Sequence, residues 1–336
     1  MLISMLPLFS RGGPVDPLLI LLGALLLDAL IGDPPLLWRR LPHPVTLIGR
    51  AIFLLDRKLN RDNRSPADRR LRGALTALGL ASAALLLGSA VTELRLRWSY
   101  GWLVEGLLTW TLIAQKSLFQ HVRAVASGLQ QGGLAGGRWA VSRIVGRDPQ
   151  SLDQYGVARA AIESCAENFA DGVVAPVFFC LLAGFPGLLL YKTVNTMDSM
   201  IGHLDERHRD FGMAAARLDD LLTLIPARLA GLLLVLAMAF VPSGRPWAAW
   251  RVMWRDHGHH RSPNSGWPEG AMAGGLGLAL AGPRHYPGYV ADEPWIGDGR
   301  ARAGIVDIHR ALFALAVACL LNGGLVILCL LFEAGR

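Results

Sequence analysis

Apolar residues along this chain gather in long runs separated by shorter polar stretches. A helix that crosses a bilayer needs about 20 mainly apolar residues. Six runs are candidates: residues 17–31, 73–91, 98–114, 173–191, 221–241 and 311–332. The first is short and carries Asp28, while the second and last are free of charge. The third holds Glu105 and opens on Trp98, Tyr100 and Trp102, in the manner of an interfacial aromatic belt. The fourth is interrupted by Pro176 and by Gly184-Phe185-Pro186-Gly187. The pattern predicts an all-α, polytopic membrane helical bundle, organised as a single integral membrane domain over residues 1–336. Between the runs, Leu118–Leu129 and Tyr155–Ala170 keep helical apolar spacing, and Gly132–Gly137 reads as a turn. Trp247, Trp250 and Trp254 punctuate the basic stretch Arg245–Arg255; that spacing suits a helix lying in the membrane interface or an ordinary packed helix.

Charge orients the set. Ten Lys or Arg residues lie between Arg39 and Arg72, against Asp56, Asp62 and Asp68. The positive-inside rule places that loop (residues 32–72) and the later segment 116–171 in the cytoplasm of a bacterium, with the chain in its inner membrane and the active site on the cytoplasmic side. If the fourth run crosses fully, residues 192–220 lie outside. If it is a broken or re-entrant segment, they stay inside, and the Gly-Phe-Pro-Gly interruption favours the break. Composition agrees: 52% of residues are hydrophobic and 18% charged, where about 25% charged is usual for soluble domains. The net charge of +7 sits beside apolar runs with no nucleic-acid motif, so the basic residues read as topology signals and anion contacts. Cys165, Cys180, Cys319 and Cys329 form no CxxC pair and read as buried apolar side chains.

Four polar stretches carry candidate chemistry. In Ile162–Asp171, Glu163, Glu167 and Asp171 stand at i, i+4 and i+8, which on a helix stacks three carboxylates on one face. Such a stack repels itself unless neutralised, and Mg²⁺, which favours carboxylate oxygen and substrate phosphate, is the expected agent; a solvated acidic face is the plain alternative. Asp219 and Asp220 follow Arg217 and precede Arg228; one aspartate is free to bind metal while the other holds an arginine. Between these blocks lies Tyr191–Met200, with Lys192, Asn195 and Asp198. Ser262–Gly270 sets a rigid turn containing Asn264 and Trp267, an aromatic suited to stacking on a flat ligand. The histidines His257, His259 and His260 lack a zinc spacing. No Walker loop, dinucleotide fingerprint, GxSxG or HExxH occurs.

Taken together, five blocks in this order resemble the CobD/CbiB membrane proteins of cobalamin biosynthesis: Leu27–Arg50, Ala158–Phe178, Tyr191–His203, Phe211–Gly231 and Ser262–Gly277. Thr223 and His203 depart from that pattern, and the HGHH cluster is peculiar to this chain. The resemblance implies an ATP-dependent carbon–nitrogen ligase that joins adenosylcobyric acid, at its propionate f carboxyl, to (R)-1-amino-2-propanol or its phosphate. It also implies ATP and Mg²⁺ as cofactors. Carboxyl activation as an acyl phosphate would then place Mg²⁺ on some of Glu163, Glu167, Asp198, Asp219 and Asp220. Lys192, Asn195, Arg217, Arg228, Asn264 and Trp267 would serve substrate and phosphate, and one carboxylate among Glu163, Glu167 and Asp171 would act as general base. A complex with other membrane-bound corrinoid assembly enzymes follows from pathway logic alone. The competing class is a non-catalytic membrane sensor of the AmpE type, which has no evident need for the carboxylate-rich blocks; a transporter, using Asp28 and Glu105, is a third.

Overall fold

The computed structural model describes residues 14–335 apart from 147, 287, 288 and 292. Helices account for nearly all of its regular structure: α1 (Pro17–Leu30), α2 (Pro35–Trp38), α3 (Pro44–Leu59), α4 (Pro66–Arg97), α5 (Gly101–Thr111), α6 (Gln115–Val141), α7 (Gln154–Phe169), α8 (Ala175–Ile201), α9 (Met213–Ala237), α10 (Pro246–Asp256), α11 (Gly266–Leu276) and α12 (Ile305–Ala334). Two small antiparallel ladders interrupt them: β1 (Leu280–Ala281) pairs with β4 (Trp295–Ile296), and β2 (Arg284–Tyr286) with β3 (Tyr289–Ala291).

Helix starts follow the sequence closely. Asp16, His43 and Ser65 each precede a proline at the first helical position, and each side chain accepts a backbone N–H of its own first turn. Proline there loses no hydrogen bond, because that N–H is an orphan in any helix. His43 is thus a structural cap; it also lies 3.5 Å from Asp33 and packs edge-on to Trp38.

Four helical courses are long and apolar enough to cross a membrane: α4, the 48-residue course Gln154–Ile201, α9 and α12. The protein is therefore a multi-pass membrane helical bundle. Leu75, Leu78, Leu86 and Leu87 on α4, and Leu320, Leu328 and Leu331 on α12, point outward. Such surface suits lipid, where helices already satisfy their own backbone groups. The course Gln154–Ile201 is not a simple rod. A π-helical turn, Ala170–Val174, follows α7, and α8 breaks at Ala183–Gly184, where Gly184 has φ 63°. The interruption read at Gly184–Gly187 is thus a backbone kink that glycine's freedom at positive φ permits.

The chain divides into two compact units: residues 1–114, 175–222 and 326–336 form the first, and residues 115–174 and 223–325 the second. In the first unit α4 packs along α8, and a Cβ on Gly88 would come within 2.5 Å of the Pro186 Cα, so glycine is what lets the two backbones approach. Ile52, Ala77, Val194, Met197 and Phe211 fill one core, and Leu21, Leu25, Trp110 and Val177 another. Arg95 and Glu105, both almost fully buried, pair at 3.1 Å. In the second unit α6 turns back on itself at Gly133 (φ 57°), so that Gly128 and Gly136 meet backbone to backbone. Val157, Ile162, Cys165, Leu234, Met253 and Met272 are among its core residues. All four cysteines are unpaired by disulfide.

Candidate functional site

In the second unit, α7 begins at Asp153, whose carboxylate accepts the Gly156 N–H at 2.6 Å. Its alanine-rich flank buries Ala158, Ala161, Ile162 and Cys165 and so fixes which way the intervening carboxylates face. Glu163 is buried, and its Oε1 accepts the Ala281 N–H at 3.0 Å. Glu167, one turn on, is only half-buried and accepts the Ser265 hydroxyl at 3.1 Å. Asp171, also half-buried, belongs to the π-helical turn, whose wider winding departs from the 3.6-residue period. The column of carboxylates expected from spacing therefore holds within α7 for Glu163 and Glu167, while Asp171 follows a different local geometry.

The Ser262–Gly270 turn, which supplies Glu167's hydroxyl partner Ser265, gathers further polar groups of this unit. Ser262 Oγ accepts the Asn264 N–H at 3.2 Å, and buried Asn264 accepts from the Arg228 guanidinium at 3.2 Å. Arg228 also donates to the Leu224 carbonyl and lies 4.5 Å over the Trp267 ring. His257 stacks on the same ring at 4.1 Å, and Trp254 meets it edge-on at 4.8 Å. Trp267 is thus not a bare platform. It holds a cation by its π face, and its buried indole N–H has no acceptor among the described residues. His257 and His259 each turn Nδ1 toward a backbone carbonyl, of Trp254 and Trp295 respectively, while His260 Nδ1 accepts the Ser262 N–H and Nε2 faces buried Glu269 at 3.6 Å. The histidines brace the turn. Ser265 and Glu269 lie inside the Ser262–Gly270 turn that the sequence marks out, but nothing local says which of its side chains meets α7.

The first unit assembles a second polar group. Asn195 on α8 donates to buried Asp219 on α9 at 3.3 Å. Lys192 and Asp198 lie three residues to either side of Asn195, both half-buried. Asp220 is half-buried and Arg217 exposed, so the adjacent aspartates face different surroundings, as helical geometry requires. Among the described residues no three His, Cys, Asp or Glu side chains form a ready metal cage. Mg²⁺ seldom needs one: it commonly takes one or two carboxylates and completes its shell with water and substrate phosphate.

Outside the catalytic candidates, Asp256 at the end of α10 is clasped by Arg255 at 2.6 and 2.8 Å and by the Gly297 N–H at 2.7 Å. Burial alone would raise its carboxyl, but these donors outweigh it and hold Asp256 below the usual carboxylate range. Arg255 is correspondingly held far above its ordinary value by Asp256 and Asp298.

Comparison with known proteins agrees with this architecture. Residues 21–315 match the CobD/Cbib protein family. A cobalamin biosynthesis protein CobD from Sinorhizobium sp is 51% identical over 314 residues, 92% of this chain and 97% of that protein. The protein of the same name from Rhizobium meliloti (strain 1021) is 52% identical over 90% of this chain and 93% of its own. That from Rhodobacter capsulatus is 48% identical over 85% and 88%. No solved structure matches. A multi-pass bundle of the bacterial inner membrane with this extent of identity belongs to the CobD/CbiB family and acts in cobalamin biosynthesis.

Proposed function

We propose that the chain joins the propionate f carboxyl of adenosylcobyric acid to the amine of (R)-1-amino-2-propanol or of its phosphate, as an ATP-dependent carbon–nitrogen ligase working at the cytoplasmic face. The family assignment carries the substrate class. The observation that carries the chemistry is the half-buried Glu167 on the Ser265 hydroxyl, in the same unit as Arg228, Asn264 and the acceptor-less Trp267 N–H.

Each group has a task that its surroundings suit. An amine arriving as ammonium must lose a proton before it attacks, and Glu167 is the carboxylate placed to take it. Its single hydroxyl partner fixes its orientation and leaves acceptor capacity in hand. Glu163, committed to the Ala281 N–H, anchors α7 to the β1 strand. Arg228 keeps a permanent positive charge in an ordered place, and with Asn264 it suits an oxyanion of carboxylate or phosphate. The Trp267 N–H adds a donor of the same kind. In the first unit, Lys192, Asn195 and Arg217 are assigned to phosphate.

The residues present fit Mg²⁺ by their chemistry, since they offer hard oxygen donors and no competing thiolate. Asp219 with Asp198 or Asp220 in the first unit would hold it, leaving Glu167 free to act as base. When bound it would offset the charge of the nucleotide phosphates. The test is amide formation by the purified membrane protein supplied with cobyric acid, ATP, Mg²⁺ and each form of the amine, read by mass spectrometry. Product that depends on ATP supports the reading; its absence with both amines refutes it.

A further inference from the structure

His260 stands at the entry of the Ser262–Gly270 turn, and both nitrogens of its ring are engaged. Nδ1 accepts the Ser262 N–H at 3.0 Å. A ring nitrogen that accepts an N–H carries no proton of its own, so the ring proton sits on Nε2. Nε2 faces Glu269, in the first turn of α11, at 3.6 Å. The side chains of His260 and Glu269 are only 12% and 1% exposed, so water competes little for either contact. One ring therefore ties the entry of the turn to the helix that leaves it, through two chemically distinct contacts.

The contact at Nδ1 propagates along the turn. Ser262, held by the ring through its N–H, accepts the Asn264 N–H on Oγ at 3.2 Å and the Ser265 N–H at 3.4 Å. The Asn264 carbonyl accepts the Trp267 backbone N–H at 3.1 Å. Ser265, placed in this way, gives its hydroxyl to Glu167 at 3.1 Å. Arg228 depends on the turn much less. Besides Asn264 it has the Leu224 carbonyl and the face of Trp267. Loosening the turn at Ser262 therefore frees Ser265 more than it frees Arg228.

We propose that His260 is a positioning residue for the base. Through Ser262 its Nδ1 sets the Ser265 hydroxyl, and with it the orientation of the Glu167 carboxylate, whereas its Nε2 secures the turn to α11. The inference deepens the ligase reading and rests on it for the task of Glu167.

Two substitutions separate the two nitrogens. His260→Asn puts an amide oxygen in the place of Nδ1, two residues before the N–H it accepts, as in an Asx-turn, and gives up the contact with Glu269. His260→Gln reaches Glu269 with its amide and leaves the Ser262 N–H without the ring acceptor. The full chain in nanodiscs is assayed for corrinoid amide by mass spectrometry and for hydrogen–deuterium exchange at the Ser262, Asn264 and Ser265 amides. His260→Gln lowers kcat about tenfold, changes KM for cobyric acid by less than about threefold, and speeds exchange at those amides about tenfold. His260→Asn keeps that exchange slow, restores kcat to within about threefold of wild type, and lowers the thermal midpoint by a few degrees instead. Wild-type kcat in His260→Gln, equal losses of kcat in the two variants, or a raised KM with kcat intact overturns the proposal. So does unaltered exchange at those amides in His260→Gln, a readout that needs no turnover. No amide product from wild type, with exchange responding as expected, sinks the ligase reading alone and leaves His260 as the residue that sets Ser265 against Glu167.

Discussion

The pair Arg95–Glu105 in the first unit and the group around Glu167 in the second each put a carboxylate among helices of a membrane protein, and they end differently. Glu105 and Arg95 are both almost fully buried and face each other at 3.1 Å. Each ion's main demand is met by the other. Glu167 is half-buried and is met by a hydroxyl rather than by a cation, while the nearby Arg228 rests on an aromatic ring and an amide. An acidic residue in an apolar run signals chemistry only where the protein itself leaves the charge something to do. By that measure Glu105 is architecture, which also removes one of the two residues on which a transport path would rest, and Glu167 is the reactive candidate.

The comparison breaks most sharply at Glu167. Glu167→Gln keeps the shape and the bond to Ser265 but loses the base, so turnover falls by about 100-fold or more while expression and thermal midpoint stay near wild type. Breaking the buried pair has the opposite signature. Glu105→Gln leaves Arg95 uncompensated and costs about 3 kcal/mol of stability, read by thermal unfolding in detergent, while the folded fraction keeps its turnover. A smaller effect is expected at Trp267→Phe, which keeps a ring under Arg228 but removes the indole N–H: KM for cobyric acid or ATP rises several-fold, worth about 1 kcal/mol. Glu163→Gln sharpens the contrast along one helix. Glutamine still accepts the Ala281 N–H, so turnover stays within a few-fold of wild type and stability drops by about 1 kcal/mol.

The gentlest probe is acid. Because the folded state depresses the Asp256 pKa, the stabilisation it brings is fully present above the unfolded value of about 3.9 and is lost as pH falls below it. Wild type should lose thermal stability on going below about pH 4, and Asp256→Asn, already less stable at neutral pH by about 1–2 kcal/mol given the half-exposed Arg255, should lose less. Equal slopes for the two proteins would remove Asp256 from the account.

Much of the fold could be read from local pattern. The apolar runs foretold α4, α9 and α12, and Gly133 and Gly184 sit at the breaks their neighbours suggested. These features depend on residues a few positions apart. The site was legible only as ingredients. Glu167 meets a partner 98 positions away, Glu163 one 118 positions away, and Asp56 one 151 positions away. No periodicity encodes such pairings; they are set by which helix faces pack. Spacing likewise gave no hint of the π-helical turn that carries Asp171, nor that the Trp267 ring is already occupied by Arg228 and His257.

The most direct test is a side-by-side mass-spectrometric assay of wild type, Glu167→Gln and Glu105→Gln, each purified, matched for folded protein and given cobyric acid, ATP, Mg²⁺ and aminopropanol phosphate. The account predicts corrinoid amide from wild type and Glu105→Gln and almost none from Glu167→Gln. Wild-type-like product from Glu167→Gln would contradict it.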